Sequence, residues 1–429
     1  MGGHGQGSTG TTPDTGPDAA GVTVGVEEEF LLVDPARGTS VPRAERVLAA
    51  AGAHPRRGGA FHGELLTSQV EAATGVCATL GELAAQLREG RARLARAARA
   101  SGALLVSTGT PVLAGPPPPA TPGDRFTAIT DAYGEVVEDY QACGCHVHVG
   151  VPDRETAVAV VNHLRPWLAT LAALAVNSPF DRGRASRFAC RRLVEISRFP
   201  GAGTPPYSAS AADYDDRVAA LVEAGVLVDE AMTFWLARPS PRWPTVEVRV
   251  ADAAATADEA VLHAALVRGL VGAALADLDA GRQAPPLDEQ VCAAALWNAA
   301  RHGMDGPALD PFTRRAAPPW RMVRALLARA APALAARGDQ DAVAALLEGV
   351  RRAGTGTDRQ RRAAARAGPR AVVEMLARQT VSGGLAAAVD APAAGPGRPS
   401  GPAPGNEPGV WDACERVPQR DTHGTTEDR

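Results

Sequence analysis

Four short segments of this chain each place two polar side chains at i, i+2 spacing within an apolar run. The most acidic is TVGVEEEFLLVD at residues 23–34, whose Val, Leu and Phe content indicates a β-strand. Side chains alternate between the faces of a strand, so its two carboxylates share one face opposite a mostly apolar one. Such carboxylates repel each other unless a cation lies between them. The four pairs are Glu27/Glu29, Gln69/Glu71, His146/His148 and Glu247/Arg249.

Taken singly, each pair is also typical of an edge strand with a charged, solvated face. If all four strands lie in one sheet whose apolar side packs on helices, the pairs converge on a single open face. Carboxylates with an imidazole are a ligand set for Mg²⁺ or Mn²⁺, with room for substrate phosphates. An arginine on the same face would stabilise charge on a transferring phosphoryl group. The alternative is four unrelated, half-exposed strands.

The segments around these pairs must position them. Hydrophobic periodicity predicts helices between the strands and a mostly helical C-terminal half. Residues 104–108 are predicted to form a buried strand, and residues 181–212 are rich in loops. The predicted helices cover residues 41–52, 79–102, 126–140, 154–176, 213–224 and most of 256–378, with a glycine-rich break, GTGTDRQ, at 354–360.

Composition sets limits on function. The chain has 429 residues, 45% hydrophobic, and a formal net charge of −4, which argues against nucleic acid as an obligate partner. It contains no lysine, so P-loop and Schiff-base chemistry are excluded. Any phosphate must be held by arginines, backbone amides and metal ions.

Localisation and domain limits follow from the ends of the chain. The first residues lack the pattern of a signal peptide and no apolar run is long enough to span a bilayer, which predicts a cytoplasmic protein without a membrane partner. Residues 1–21 are predicted to be a disordered tail, residues 22–380 one catalytic domain, and residues 381–429 a disordered tail rich in Pro, Gly and Ala.

The cysteines and the arginine cluster are predicted to have structural or solvent-exposed positions rather than a role in the site. The six scattered cysteines predict buried free thiols. A zinc site at CGCHVH, residues 143–148, is disfavoured because strand geometry puts the cysteines and histidines on opposite faces. The arginines at 182–192 are expected in a solvated loop rather than on an anion, and Gln360 and Arg361 are also expected to be solvated. Trp167 and Trp235 are expected in the core.

The four strands, in this order, resemble the carboxylate–amine ligase branch of the bacterial glutamate–cysteine ligase family (type 2), within the glutamine synthetase superfamily. The resemblance runs from about residue 22 to about residue 378. The segments that carry it are GVEEEFLLVD, SQVEAATGVC, CGCHVHVGVPD, NSPF, RPSPRWPTVEVRVAD and LWNAARHGMDG.

This resemblance implies roles for the paired residues. Arg249 would direct its charge at the phosphoryl group in catalysis and nucleotide binding, and Glu64 would lie near the incoming amine. His148 would lie nearer the nucleotide. The metal ligands implied are Glu27, Glu29, Glu71, His146 and Glu247.

The resemblance also implies a fold and a reaction. The fold is α+β: a curved antiparallel sheet that forms a funnel, backed by helices, like the catalytic domain of glutamine synthetase. The cofactors are ATP and Mg²⁺ (or Mn²⁺). ATP would phosphorylate a carboxylate, nominally that of glutamate, and an amine, nominally that of cysteine, would attack the acyl phosphate. Oligomers are common in the family, so a homodimer is expected.

Three segments depart from the family pattern and leave the substrates open. A usual G-T-H-P turn is GTP at residues 109–111, W-W-D-x-R is FWLAR at residues 234–238, and D-T-G-x-x-S-x-R is DRGRASR at residues 181–187. They favour a ligase for another acid and amine as one alternative. The others are an inactive small-molecule-binding relative and a metal-dependent hydrolase that needs no ATP.

Overall fold

Strands organise the part of the chain that the computed structural model describes, which is residues 23–382 with Gly384 and Leu385. In that part, seven strands form one sheet and six short strands form three two-stranded ribbons. In chain order the strands are β1 (Val24–Val33), β2 (Ala60–Gly63), β3 (Gln69–Ala73), β4 (Leu104–Val106), β5 (Gly144–Gly150), β6 (Phe180–Asp181), β7 (Arg184–Ala185), β8 (Ala202–Gly203), β9 (Phe234–Trp235), β10 (Ala237–Pro239), β11 (Thr245–Asp252), β12 (Ala308–Asp310) and β13 (Arg315–Ala317).

The acidic strand β1 lies in the middle of the main sheet, whose order is β10-β11-β5-β1-β3-β2, with β4 paired to the end of β1. All pairings in this sheet are antiparallel. The register shifts between Val248 and Ala251, where β11 is irregular against β5. Such a bulge bends the strand and re-aims the side chains beside it.

Helices make up most of the remaining described chain. Several begin with a side-chain cap; α2 and α9, for example, begin with capping boxes at Thr79 and Thr256. The α-helices are α1 (Ala44–Ala51), α2 (Leu80–Ala100), α3 (Asp124–Tyr133), α4 (Glu135–Glu138), α5 (Arg154–Leu164), α6 (Leu168–Leu174), α7 (Arg191–Ile196), α8 (Ala211–Glu223), α9 (Ala257–Asp279), α10 (Glu289–His302), α11 (Pro319–Ala335), α12 (Gln340–Ala353) and α13 (Gly356–Ser382), with 3₁₀ turns at Arg165–Trp167 and Glu230–Met232.

The sheet buries its apolar face against these helices, which makes the fold α+β as predicted. Val26, Val147 and Val248 from three neighbouring strands belong to one buried cluster with Leu266 of α9. A second cluster joins the far end of β1 to α1 and α2 through Phe30 and its neighbours. On the other face of β1, Leu31 and Val33 belong to a third buried cluster with Val372 and Leu376 of α13, whereas Glu27 and Glu29 lie outside the buried clusters.

Several predicted helices are interrupted, each for a local reason. The helix predicted at residues 126–140 divides at Gly134, whose φ is +50°. The one predicted at 154–176 contains a 3₁₀ turn at Pro166. The loop predicted at 181–212 holds α7, and β2 was not predicted. Helix α13 is kinked at Gly368, immediately before Pro369.

The core expectations are confirmed where the structure describes them. Trp167 and Trp235 are buried, and the five described cysteines are free and buried, whereas Cys414 lies outside the described residues. The predicted tail at residues 1–21 also lies outside them. Helix α13 continues to Ser382, and Leu385 packs within the main cluster.

The expectation about apolar runs needs correction. Two helical stretches, Arg154–Leu174 and Ala257–Asp279, are long and apolar enough to cross a membrane by length and composition. However, 89% and 72% of their most apolar windows are buried inside the protein. They serve here as core helices, which pass the same test.

Candidate active site

The sheet register brings the predicted pairs together. Glu29 of β1 lies opposite Glu71 of β3, and Glu27 lies opposite His146 of β5. Residues directly opposite in an antiparallel pair point to the same face, with Cβ atoms about 5 Å apart. Glu247 of β11 lies opposite His148 in the same way. The four pairs therefore share the face of the sheet that turns away from the helical core, as predicted.

One group of potential metal ligands contains Glu27, His148 and Glu247, with one ligand atom from each within 4.8 Å of the others. His148 Nδ1 lies 2.9 Å from Thr245 Oγ1, which fixes the ring. Burial alone would raise the pKa of Glu27, but hydrogen bonds to His146 and His148 hold it well below the usual range. The pKa of His148 is raised, because the Glu27 carboxylate outweighs burial.

A second group contains Glu29, Glu64 and Glu71, again with ligand atoms within 4.8 Å of one another. Glu64 follows β2 directly, which places it beside Glu71. Burial, and then the charge of Glu29, raises the pKa of Glu64 to about 8. Burial and the charges of Glu27 and Glu64 raise that of Glu71 well above its usual value. This second group is a set of carboxylates that oppose one another's ionisation.

His146 lies between the two groups. Its Nδ1 is 3.4 Å from Glu27 and 4.0 Å from Glu247, and its Nε2 is 3.7 Å from Glu29. Burial, and then the charge of Arg249, lowers the pKa of this imidazole, which favours its neutral form. The structure thus groups His148, rather than His146, with Glu27 and Glu247, and the ligand role predicted for His146 stays a prediction.

Arginines on the same face hold Glu247. Arg249, two residues along β11, forms a short ion pair with it. Arg238 of β10 donates from Nε to Glu247 Oε2 at 2.7 Å and from Nη2 to Oε1 at 3.4 Å, and is itself buried. Although burial would raise it, the pKa of Glu247 is held well below its usual value by these cations. Arg238 was missed as a site residue although it lies in the quoted RPSPRWP segment.

The arginines expected in a solvated loop need a partial correction. Arg192 is 3% exposed, because α7 directs it towards His146 rather than into solvent. Its Nη2 lies 3.5 Å from His146 Nε2. Arg182 and Arg191 are partly exposed and form ion pairs with Asp181. No spacing in the sequence distinguishes Arg192 from these neighbours.

Gln360 also departs from the expectation of solvation. It is fully buried and donates from Nε2 to both the backbone and side-chain oxygens of Asn177, each at 2.8 Å. Asp252, at the end of β11, accepts from Asn177 N and from Ser178 Oγ, each at 2.7 Å. The NSPF segment therefore ties the end of β11 to α13. Arg361 is partly exposed and pairs with Asp305.

The donor set fits two hard divalent cations. Oxygen donors with one imidazole suit Mg²⁺ or Mn²⁺, and thiolates, which zinc prefers, are absent from both described groups. Cys145 is buried in the main core on the opposite face, as predicted, but Cys143 precedes β5 and its Sγ accepts a hydrogen bond from Gln69 Nε2 at 3.3 Å, so it lies at the border of the site and that part of the prediction is wrong. The mutual repulsion in the group of Glu29, Glu64 and Glu71 is what a bound cation would relieve.

The comparisons with known proteins agree with the resemblance predicted from the motifs. A model of the glutamate–cysteine ligase family 2 matches residues 23–390. A protein of Saccharopolyspora erythraea, named "Putative glutamate--cysteine ligase 2-2", is 55% identical over 369 residues, covering 86% of this chain and 94% of its own. A relative from Salinispora arenicola, named "Putative glutamate--cysteine ligase 2", is 44% identical over 371 residues, covering 85% and 97%.

Two solved structures share the fold. A glutamate–cysteine ligase from Francisella tularensis, in complex with AMP, matches with a TM-score of 0.61 and 14% identity over 85% of this chain and 90% of its own. A bifunctional glutathione synthetase from Pasteurella multocida matches with a TM-score of 0.60 and 14% identity over 84% of this chain and 52% of its own.

Fold and family together define an enzyme of the carboxylate–amine ligase class. The chain belongs to the glutamate–cysteine ligase family 2, and the resemblance predicted from its motifs is confirmed.

Proposed function

We propose that this ligase joins a carboxylate to an amine at the expense of ATP, in the presence of Mg²⁺ or Mn²⁺, through an acyl phosphate. The observation that carries the proposal is the pair of three-ligand groups on one sheet face, joined by His146 and bordered by Arg249. A surface that only bound a small molecule would have no need of so many carboxylates that raise one another's pKa.

In this proposal Glu27, His148 and Glu247 hold one cation, and Glu29 and Glu71 hold a second with Glu64 beside them. Divalent cations there would supply the positive charge that lets a carboxylate nucleophile approach a triphosphate. His146, the imidazole predicted to be a ligand, lies within 4.0 Å of Glu27, Glu29 and Glu247, where it would complete the ligand set of either cation.

Arg249 and Glu64 take the two remaining roles. Arg249 lies beside Glu247 and His146, where its guanidinium would stabilise charge on the phosphoryl group as it moves. Glu64 has a pKa of about 8, because it is buried and faces Glu29. With cations bound beside it, the Glu64 carboxylate would be ionised, and it would hold the attacking ammonium and accept its proton. The amine would then displace phosphate from the acyl carbon, and phosphate would leave with the bonding electron pair.

Glutamate and cysteine are the nominal substrates, because the relatives bear that name and the family is defined by it. The unusual segments at residues 109–111, 181–187 and 234–238 support a different acid and amine as the second candidate. The reaction is assigned to the cytoplasm, where ATP and free amino acids are available, and a homodimer stays a prediction.

The test is nucleotide turnover. Purified full-length protein is incubated with ATP, Mg²⁺ and glutamate, with and without cysteine, and ADP and phosphate are measured. Release that requires both an acid and an amine supports the ligase. Turnover of an amide substrate without ATP would instead support the hydrolase reading. Absence of ADP release across a broad panel of acid and amine pairs would contradict the proposal and favour an inactive binding relative.

A further inference from the structure

Buried arginines in this protein differ in one respect that bears on the site. The described residues include six such side chains, and five of them have a carboxylate oxygen within 3.5 Å. The exception is Arg192, for which the described chain supplies no carboxylate oxygen within 4.0 Å. The paired ones are Arg91 with Glu28, Arg165 with Glu289, Arg238 with Glu247, Arg268 with Asp339 and Arg359 with Glu259.

The contacts of Arg192 give its guanidinium no direct carboxylate partner, and the charge of Asp252 acts on it only from beyond 4.0 Å. Nη1 and Nη2 both donate to the carbonyl oxygen of Arg249 at 3.2 Å. Nη2 also lies 3.5 Å from His146 Nε2. Nε is buried and has no hydrogen-bond partner among the described residues. A buried cation without an anion in direct contact is costly to desolvate, and one carbonyl oxygen does not replace that contact.

Contacts of Arg192 with neighbouring segments fix the position of its guanidinium. The backbone N–H of Arg192 donates to Ser178 Oγ at 3.2 Å, so the NSPF segment fixes the start of α7. A Cβ at Gly144 of β5 would lie 2.2 Å from Arg192 Nη2, so only glycine leaves room for the guanidinium. The N–H of Gly144 in turn donates to Glu29 Oε2 at 2.5 Å. Arg192 therefore lies on the active face, next to the carboxylates of the second group.

We propose that Arg192 binds an oxyanion of the substrates, supplied either by a carboxylate of the acid or by the phosphoryl group. This inference rests on the proposed function, because it takes the charged face around His146 as the substrate site. A planar guanidinium with a free N–H can meet an anionic oxygen in a charge-assisted hydrogen bond. The bound anion would supply the countercharge that the five other buried arginines obtain from their own carboxylates.

The experiment compares full-length wild type with Arg192→Gln and Arg192→Lys. Arg191→Gln is the matched control, because Arg191 is the neighbouring residue and pairs with Glu195 and Asp181 away from the sheet. Binding of three probes, glutamate, inorganic phosphate and ATP with Mg²⁺, is measured by calorimetry, and thermal unfolding is measured without ligand. We expect Arg192→Gln to weaken at least one probe by about ten- to a hundredfold, with Arg192→Lys intermediate.

The pattern of losses identifies the source of the oxyanion. Loss confined to glutamate assigns a carboxylate; loss for phosphate and ATP assigns the phosphoryl group. Without ligand, Arg192→Gln should unfold at the same temperature as wild type or higher, since it removes an unpaired buried charge. Arg238→Gln removes one ion-pair partner of Glu247 and should therefore unfold at a lower temperature than wild type.

Unchanged affinity of Arg192→Gln for all three probes would overturn the inference, as would a loss of thermal stability equal to that of Arg238→Gln. Failure of wild type to bind any probe would also count against it. The outcome is separable from the proposed function. Wild type that binds the probes but releases no ADP contradicts the ligase proposal alone, whereas active wild type with an unaltered Arg192→Gln variant contradicts the Arg192 inference alone.

Discussion

The two faces of β1 hold identical side chains in opposite surroundings. Glu28 points beneath the sheet, where Arg91 donates to both of its oxygens, from Nε at 2.9 Å and from Nη2 at 2.6 Å. Both side chains are 1% exposed. Arg91 also donates to the carbonyl oxygens of Ala254, Ala255 and Thr380. This carboxylate has a complete set of partners within the protein.

Glu29, the next residue, faces the other way into the group with Glu64 and Glu71. In the described part of the chain, no arginine lies within 4.0 Å of any of these three carboxylates. Burial and mutual repulsion instead raise the pKa values of Glu64 and Glu71. A buried carboxylate with its own arginine has its charge balanced within the fold, whereas partly buried carboxylates left together are prepared for a ligand that the described chain does not supply.

The largest expected effect is at Glu29, where a substitution should lower activity without lowering stability. Glu29→Gln should lower turnover at least about a thousandfold, or roughly 4 kcal/mol, because it removes a proposed cation ligand. The same change should leave the melting temperature without metal unchanged or raise it, since it removes one of three repelling charges. ADP release and thermal unfolding measured on one preparation check both statements. Near-normal turnover would contradict the metal site.

The next effect tests the other face of the same strand. Arg91→Met should destabilise the protein by about 3–5 kcal/mol, because it leaves Glu28 buried without a countercharge. The free energy of unfolding in denaturant measures this cost. The double variant Glu28→Met with Arg91→Met should recover much of the loss, since no unpaired charge remains. If the single and double variants were equally stable, the unpaired charge of Glu28 would not be the cause of the loss of stability.

A smaller effect should follow from metal addition. Mg²⁺ or Mn²⁺ added to metal-free protein should raise its melting temperature, because a cation that binds only the folded state stabilises it, by about 2.7 kcal/mol when present at a hundredfold excess over Kd. Glu71→Gln should reduce the shift, and the surface variant Glu348→Gln should not. A shift that is the same in Glu71→Gln as in wild type would place the cation elsewhere.

Much of this arrangement could be predicted from sequence, because it depends on local periodicity. Alternation within residues 23–34 and 143–148 predicts which side chains share a face, and antiparallel pairing carries that order across the sheet. Glu27, Glu29, Glu71 and Glu247 were found for this reason. Their common face needed no knowledge of long-range packing beyond membership of one sheet.

The missed features depend on partners distant in the chain. Glu28 lies on the otherwise apolar face of β1, and no neighbouring residue in the sequence indicates that it pairs with Arg91, which is 63 residues away. Arg192 lies among arginines that are exposed or partly exposed, and only the packing of α7 distinguishes it. Gln360 was expected in a glycine-rich loop, but the helix α13 begins at Gly356 and buries it.

The smallest expected effect is the contribution of the open face to the dependence of stability on pH. In metal-free protein, the folded pKa of Glu64 is about 8, above the value of 4.5 for a free glutamate. Between these values the folded state binds more protons than the unfolded state, so stability should fall as pH rises through that window. Glu27 and Glu247, whose pKa values are lowered, act in the opposite sense and only below about pH 4.5.

Denaturant unfolding from pH 5 to pH 8 in the presence of a chelator, roughly the window set by these pKa values, measures this slope. Glu64→Gln should reduce it, because the variant has no proton to lose at that position, and saturating Mg²⁺ should reduce it in wild type by holding the carboxylates ionised. Arg91→Met with Glu28→Met should keep it, since that pair lies on the other side of the strand. A slope unchanged by Glu64→Gln would mean that the carboxylates on this face do not share the repulsion that distinguishes them from Glu28.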